Sequence, residues 1–249
     1  RLVNGTTLTE AFNEVLPAGA TLSGGFAGDG TDFAVTRVGL DAAPEPGLIV
    51  AIGLYGPSLR LGFGSVGGWS CFGPARTVTS SSGNVLRMLD GRPALALYKE
   101  YLGPAAAGLP AAALRFPLSV TTADQPNAVV RTILSIDEAA ATMTFAGDIP
   151  EGATVRLMRA SYEEIIGGAE DAARLAAQDA DIVLCVSCVG RRIVLGQRIE
   201  EELEGVRTAF GPRPVIAGFY SYGELAPTGE AGACQLHNQT MTITSIAEV

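Results

Sequence analysis

Apolar positions along the chain alternate between helical spacing and short strand-like runs. Leu8, Phe12, Val15 and Leu16 share one helical face over residues 6–16, with Thr6 or Thr7 placed to cap the helix and Pro17 to stop it. A short strand over 20–23 then runs into Gly24-Gly25-Phe26-Ala27-Gly28-Asp29-Gly30, a loop whose glycines permit close backbone approach. Apolar runs at 33–40, 48–55, 59–66 and 77–89, the last interrupted by Ser80-Ser81-Ser82-Gly83, read as antiparallel strands. Pro93 suits the first turn of a helix carrying Leu95, Leu97, Tyr98, Tyr101 and Leu102, which Gly103 ends. Residues 105–110 mark a seam. Beyond it, 129–136, 142–145 and 154–158 read as a three-stranded meander.

The C-terminal part changes character. A helix over 162–178 leads to a buried strand at 182–186, a helix over 197–210 leads to a strand at 214–217, and a last hairpin ends in 239–246. Strand-helix-strand order predicts a parallel pair at the heart of the sheet. An internal repeat runs through both parts. Arg1-Leu2-Val3-Asn4-Gly5, a helix, an apolar strand and Gly25-Phe26-x-x-x-Gly30 match Arg192-Ile193-Val194-Leu195-Gly196, a helix, an apolar strand and Gly218-Phe219-x-x-x-Gly223. Two copies of one plan imply duplicated halves. The second copy is preceded by a helix and a strand that the first lacks, so we expect a further strand and at least one helix upstream of Arg1. The expected fold class is α/β, with duplicated halves, mixed β-sheets, helices outside and inserted antiparallel hairpins.

Composition narrows the function. The chain has 249 residues, of which 47% are apolar and only 17% charged, so a large core forms and disorder is excluded. Lys+Arg 17 against Asp+Glu 26 gives a net charge of −9, which argues against nucleic acid and anionic membranes as partners. The most continuous apolar stretch, eight residues at 182–189 broken only by Ser187, is far short of a membrane span. Four cysteines are too few for a disulfide scaffold, and a reducing cytoplasm is expected.

Candidate chemistry is sparse. His237 is the only histidine, which removes triads and His-rich metal sites. It reads as a structural histidine, a ligand contact, or the single axial ligand a haem requires. Cys185-x-x-Cys188 has the spacing of half a zinc site or a redox pair, yet Cys185 lies inside an apolar strand and the second pair is missing; Cys188, at the strand end, is placed to border a pocket. The loop at 24–30 lacks the following helix and Lys-Ser/Thr of a phosphate-binding loop. Arg191 and Arg192 stand where a carboxylate can be held, or else form a solvated pair. Trp69 either lines an apolar wall or anchors its own loop, and Tyr220, Ser221, Tyr222 and Glu224 form the best polar cluster.

The segment from Val215 through Gly218-Phe219-Tyr220-Ser221-Tyr222-Gly223-Glu224 to Pro227, followed by Cys234-Gln235-Leu236-His237-Asn238-Gln239-Thr240, resembles the C-terminal signature of the FIST family. Residues 145–160 and 97–103 resemble its middle segments, while 24–30 and Gly67-Gly68-Trp69-Ser70-Cys71-Phe72-Gly73-Pro74 resemble marks of its N-terminal region. The resemblance divides the chain into a partial N-terminal region at 1–90, its upstream part missing, and a C-terminal region at 91–249. It implies a non-catalytic, small-ligand-binding sensory domain in cytoplasmic bacterial signal transduction, with an amino acid as one ligand class and a histidine kinase as one partner. The alternatives are an adaptor that recruits a protein, as in an F-box relative, and a haem-based nitric oxide sensor using His237. An enzyme acting on a small amino or carboxylic acid is disfavoured, because no nucleophile is seen with a base and an orienting group.

Ligands of open α/β sheets collect outside the carboxyl ends of parallel strands. The expected ligand-binding set is therefore Gly25, Gly28, Trp69, Cys188, Arg191, Arg192, Tyr220, Ser221, Tyr222, Glu224, His237 and Asn238. In this expectation the repeat brings the two glycine loops to one cleft, Arg191 or Arg192 pairs with a ligand carboxylate, and Glu224 receives an ammonium group. No metal and no resident cofactor is expected.

Overall fold

The computed structural model describes residues 4–32, 34–124, 127–176, 179–227 and 232–249. Arg1 at the head of the repeat, Phe33 and Gln178 lie outside the described residues. In chain order the elements are α1 (Gly5–Val15), β1 (Gly24–Gly25), β2 (Leu59–Val66), β3 (Ser70–Ser82), β4 (Val85–Leu89), β5 (Arg92–Pro93), α2 (Ala94–Leu102), β6 (Leu118–Thr121), β7 (Val129–Arg131), β8 (Ile133–Asp137), β9 (Thr142–Phe145), β10 (Thr154–Arg159), α3 (Tyr162–Leu175), β11 (Ile182–Cys188), α4 (Val189–Leu195), α5 (Ile199–Phe210), β12 (Val215–Ser221), β13 (Glu224–Pro227), β14 (Cys234–His237) and β15 (Met241–Glu248). Short 3-10 turns, Gly103–Gly108 and Ala111–Arg115, occupy the expected seam.

The fold is α/β with mixed sheets. One sheet runs β12-β11-β15-β2, another β7-β6-β10-β3-β4-β9-β8 with β5 on β4, and a small third β1-β13-β14. The parallel pair exists, Ile182 opposite Val215 through Cys188 opposite Ser221, although β12 stands at the sheet edge. The expected meander does not form: β8 and β9 pair with each other, while β10 inserts between β6 and β3. Likewise the last hairpin is replaced, since β15 leaves β14 and pairs with β11 and β2.

Each element follows from local chemistry. Asn4, not a threonine, caps α1, its Oδ1 accepting from the Thr6 and Thr7 amides. Ser161 and Glu164 form a capping box on α3. That helix, with small Ala169, Ala172, Ala173 and Ala176 inward, lies almost on the backbone of β2; a Cβ on Gly64 would stand 2.0 Å from the Ala172 carbonyl oxygen. A second core gathers Leu86, Leu97, Tyr98, Leu118, Met143 and Phe145 between α2 and the larger sheet. No helix among the described residues is long and apolar enough to cross a membrane.

Two expected strands, 33–40 and 48–55, are not strands among the described residues. Only Val38 and Glu45 exchange backbone hydrogen bonds, at 3.1 and 2.9 Å. No described strand lies beside 48–55 to take its amides and carbonyls, and Ile52 and Tyr55 are 82% and 93% exposed. The halves are thus related in sequence and unequal in regular structure.

Candidate functional site

The two glycine loops meet. Gly24 pairs with Leu225 and Gly25 with Glu224 in antiparallel register. The Phe26 amide donates to the Gly223 carbonyl at 2.9 Å, and the Tyr222 amide to the Phe26 carbonyl at 3.2 Å. Only glycine fits at 25: a Cβ there would stand 2.6 Å from Val186 Cγ1 and 2.9 Å from Ser221 Cβ. Tyr222 closes the joint by donating its hydroxyl to Asp29, whose other carboxylate oxygen accepts from the Ala34 and Val35 amides at 2.8 Å each. These donors hold the Asp29 carboxyl below the usual range, the tyrosine contributing most. Gly28 is exposed beside the Tyr222 ring. The joint sits at the carboxyl ends of β11 and β12.

Arg191 and Arg192 part company. Arg191 is fully buried, its Nε and Nη2 donating to Glu202 Oε2 at 3.1 and 3.0 Å, while Nη1 and Nη2 reach the Gly67 and Ile165 carbonyls at 2.8 Å each. Glu202, also fully buried, accepts from Ser187 Oγ at 3.1 Å and the Tyr220 hydroxyl at 3.2 Å through Oε1. That knot is internally satisfied, so Arg191 ties three elements together. Arg192 is exposed and lies over the Tyr220 ring, 5.1 Å from its centroid, with no ion pair among the described residues.

Glu224 is fully buried as well. Ser221 Oγ donates to its Oε1 at 2.6 Å, and the Thr240 amide and hydroxyl donate to Oε2 at 3.3 and 3.1 Å. Burial raises this carboxyl to about 7 against the pull of those donors and of the Arg191 charge. The serine therefore faces an acid directly, with no imidazole between them as a hydrolytic triad requires. Cys188 points into the same buried region, its thiol pushed far up by burial and by the Glu224 charge. Trp69 anchors its loop: Nε1 donates to the Gln239 carbonyl at 2.9 Å, and the ring packs on Ile165, Val194 and Leu195.

His237 lies opposite Glu224 in the β13–β14 ladder. Its ring lies near the Ala226 carbonyl, which opposes the effect of burial, while Nε2 is enclosed with no hydrogen-bond partner. Burial and the Arg131 charge depress the imidazole to about 4, so it is neutral at pH 7. Asn238, 1% exposed, links this strand to the neighbouring segment by accepting from the Thr132 amide at 3.5 Å. A haem requires an open approach to an axial nitrogen, and the enclosed Nε2 offers none to a porphyrin; the residues present do not fit that group. Among the described residues no cluster of His, Cys, Asp and Glu is built to hold a metal ion. A small cavity under α2 and an open depression beside β4 and β9 contain none of these site residues.

Three residues of this region escape a reading of the sequence. Asp29 carries a signal in its position within the glycine loop. Glu202 is one of three consecutive glutamates, Glu200 to Glu202, and only packing selects the inward one. Arg131 reads as an ordinary strand residue until β7 and β14 are brought side by side: it is 7% exposed, and its Nη1 donates to the Leu236 carbonyl at 3.1 Å.

Residues 2–92 match the FIST N domain and residues 94–227 the FIST C domain. No curated protein and no solved structure matches the chain. With consecutive matches over most of its length, the chain belongs to the FIST family, whose domains are small-ligand-binding sensory modules of signal transduction.

Proposed function

We propose that this protein is the ligand-binding part of a bacterial, cytoplasmic sensor, that its ligand is a small zwitterion of the amino-acid class, and that it reports to a protein such as a histidine kinase without catalysing a reaction. The observation that carries this reading is the joint itself. A β-ladder between Gly24-Gly25 of the N region and Glu224-Leu225 of the C region, latched by Tyr222 on Asp29, means that a ligand seated there touches both family regions at once. Occupancy then changes how the regions hold each other, which is what a sensor must transmit. The rim offers Arg192, Tyr220, Tyr222 and Gly28, and the interior offers His237 and Asn238. Thermal denaturation with each of the twenty L-amino acids tests the reading. A concentration-dependent rise in Tm with at least one is expected, since a ligand at about 100 times its Kd stabilises by about 2.7 kcal/mol. No rise with any of them overturns it.

A second reading, an adaptor surface, is favoured by the exposed apolar residues Leu48, Ile49, Ile52, Leu54 and Tyr55. It stands if no amino acid shifts Tm and if Ile52→Asp abolishes recruitment of a signalling partner without lowering Tm.

A further inference from the structure

Of the groups expected to hold a zwitterion, Arg191 is consumed by Glu202 and Glu224 by Ser221 and Thr240, while Arg192 lies exposed over the Tyr220 ring. A second cation without an ion pair is buried. Arg131 is buried, yet all its bonds go to neutral carbonyls, Nε to Asp148 at 3.2 Å and Nη1 to Val130 and Leu236 at 3.2 and 3.1 Å. Nη2 has no partner among the described residues. Burial lowers this guanidinium only to about 10, with the Asp148 charge opposing, so it remains a cation. Asp148 does not bond to it; its Oδ1 accepts instead from Asn4 Nδ2 at 2.8 Å. The Asp148 charge acts on this guanidinium without bonding to it, so Nη2 is left to be completed by an acceptor from elsewhere.

Beside that cation stand two enclosed polar atoms without partners, His237 Nε2 and Thr132 Oγ1. Arg131 reaches the carbonyl next to His237, and the Thr132 amide reaches Asn238. Nε2 is enclosed without a partner, and in the Nδ1–H tautomer of the neutral ring it is an acceptor that requires a donor. One small molecule bearing a carboxylate and an ammonium group would complete both. α1 is strapped over this region by Asn4 Nδ2 on Asp148 Oδ1 and by the Asp148 amide on Thr6 Oγ1 at 3.1 Å.

We propose that Arg131 and His237 form the head-group subsite of this protein, Arg131 Nη2 taking the ligand's carboxylate and His237 Nε2 accepting from its ammonium group. The inference rests on the small-zwitterion reading above and moves its anchor from Arg191 or Arg192 with Glu224 to this pair.

The single histidine makes the test direct, because the imidazole nitrogens of the 15N-labelled wild-type protein give one unambiguous set of signals. The probe is whichever of the twenty L-amino acids raises Tm most, alongside the amine that lacks its carboxylate. We expect the Nε2 signal to move on adding the amino acid as that nitrogen gains a donor. The amine, and Arg131→Lys with the intact amino acid, should bind at least about tenfold more weakly, since lysine keeps the charge and loses the fork. An amino acid that binds while the Nε2 signal stays fixed and Arg131→Lys keeps its affinity overturns the subsite and leaves the sensory reading standing. Absence of binding by every amino acid removes both.

Discussion

Arg191 and Glu202 form an ion pair in which neither side chain is exposed, joining the strand-to-helix turn after β11 to α5. The carbonyls of Gly67 and Ile165 and the hydroxyls of Ser187 and Tyr220 fill much of the remaining capacity of both groups. Removing one member strands the other in a place water does not reach. Arg191→Ala and Glu202→Ala should each therefore cost about 3–5 kcal/mol in urea denaturation. Arg192→Ala, which forfeits only a surface contact with Tyr220, should cost no more than about 1 kcal/mol. Equal losses for Arg191 and Arg192 would show that the pair is not locked as described.

Gly25→Ala should loosen the joint between the two regions. The new methyl group would press on Val186 Cγ1, on Ser221 Cβ, and on the Gly223 carbonyl oxygen 3.1 Å away, none of which is the free end of a flexible side chain. We expect a loss of about 1–3 kcal/mol, typical of overpacking. Amide exchange should accelerate at Phe26 and Tyr222, whose hydrogen bonds cross the joint. An unchanged exchange pattern would mean that the ladder is not what holds the loops together.

Periodicity and punctuation carried most of the helices: Pro93 and Gly103 bracket α2, the spacing of apolar residues placed the start of α3 at Tyr162 and α5 within two residues of where it runs, while α3 ends at Leu175, three residues before the expected end, and α4 was not foreseen. The repeat carried the meeting of the glycine loops. Sheet order was not legible, because β10 inserts between β6 and β3 through pairings that depend on residues far apart in the chain, and β6 itself is four residues long. The stretch at 48–55 has a strand's composition, but a strand also needs a neighbour, which composition cannot report. At the site, Tyr222 and His237 stood out by type, whereas Arg131 gains significance only from having no carboxylate on it. The sequence could not distinguish Arg191 from Arg192 either, since one rotation along α4 sends the first into the core and the second to solvent.

Thiol chemistry separates the four cysteines. Cys71 is exposed; Cys185, Cys188 and Cys234 are buried. Burial raises Cys185 and Cys234 to about 12 and Cys188 further, so all three are protonated and inert at neutral pH. One thiol should react rapidly with an aromatic disulfide reagent in the native protein, and Cys71→Ser should abolish that phase. The other three should react only on unfolding. A second fast thiol would place Cys188 at an accessible surface.

Glu224 and His237 should give pH dependences of opposite sign. Burial raises the Glu224 carboxyl from 4.5 to about 7, so between these values the folded chain keeps a proton that the unfolded chain has released, and stability falls as pH rises through that window. Burial and Arg131 lower His237 from 6.5 to about 4, so between those values the unfolded chain holds the extra proton, and stability rises with pH. Each slope is about 1.4 kcal/mol per pH unit. From pH 4.5 to 6.5 the two cancel, and the contribution of this pair to wild-type stability should be nearly flat before declining towards pH 7. Replacing one residue exposes the other: relative to wild type, Glu224→Gln should become more stable with rising pH across this window, and His237→Gln less stable. Urea denaturation at half-unit pH steps measures both, and parallel profiles for the two variants would refute the opposition.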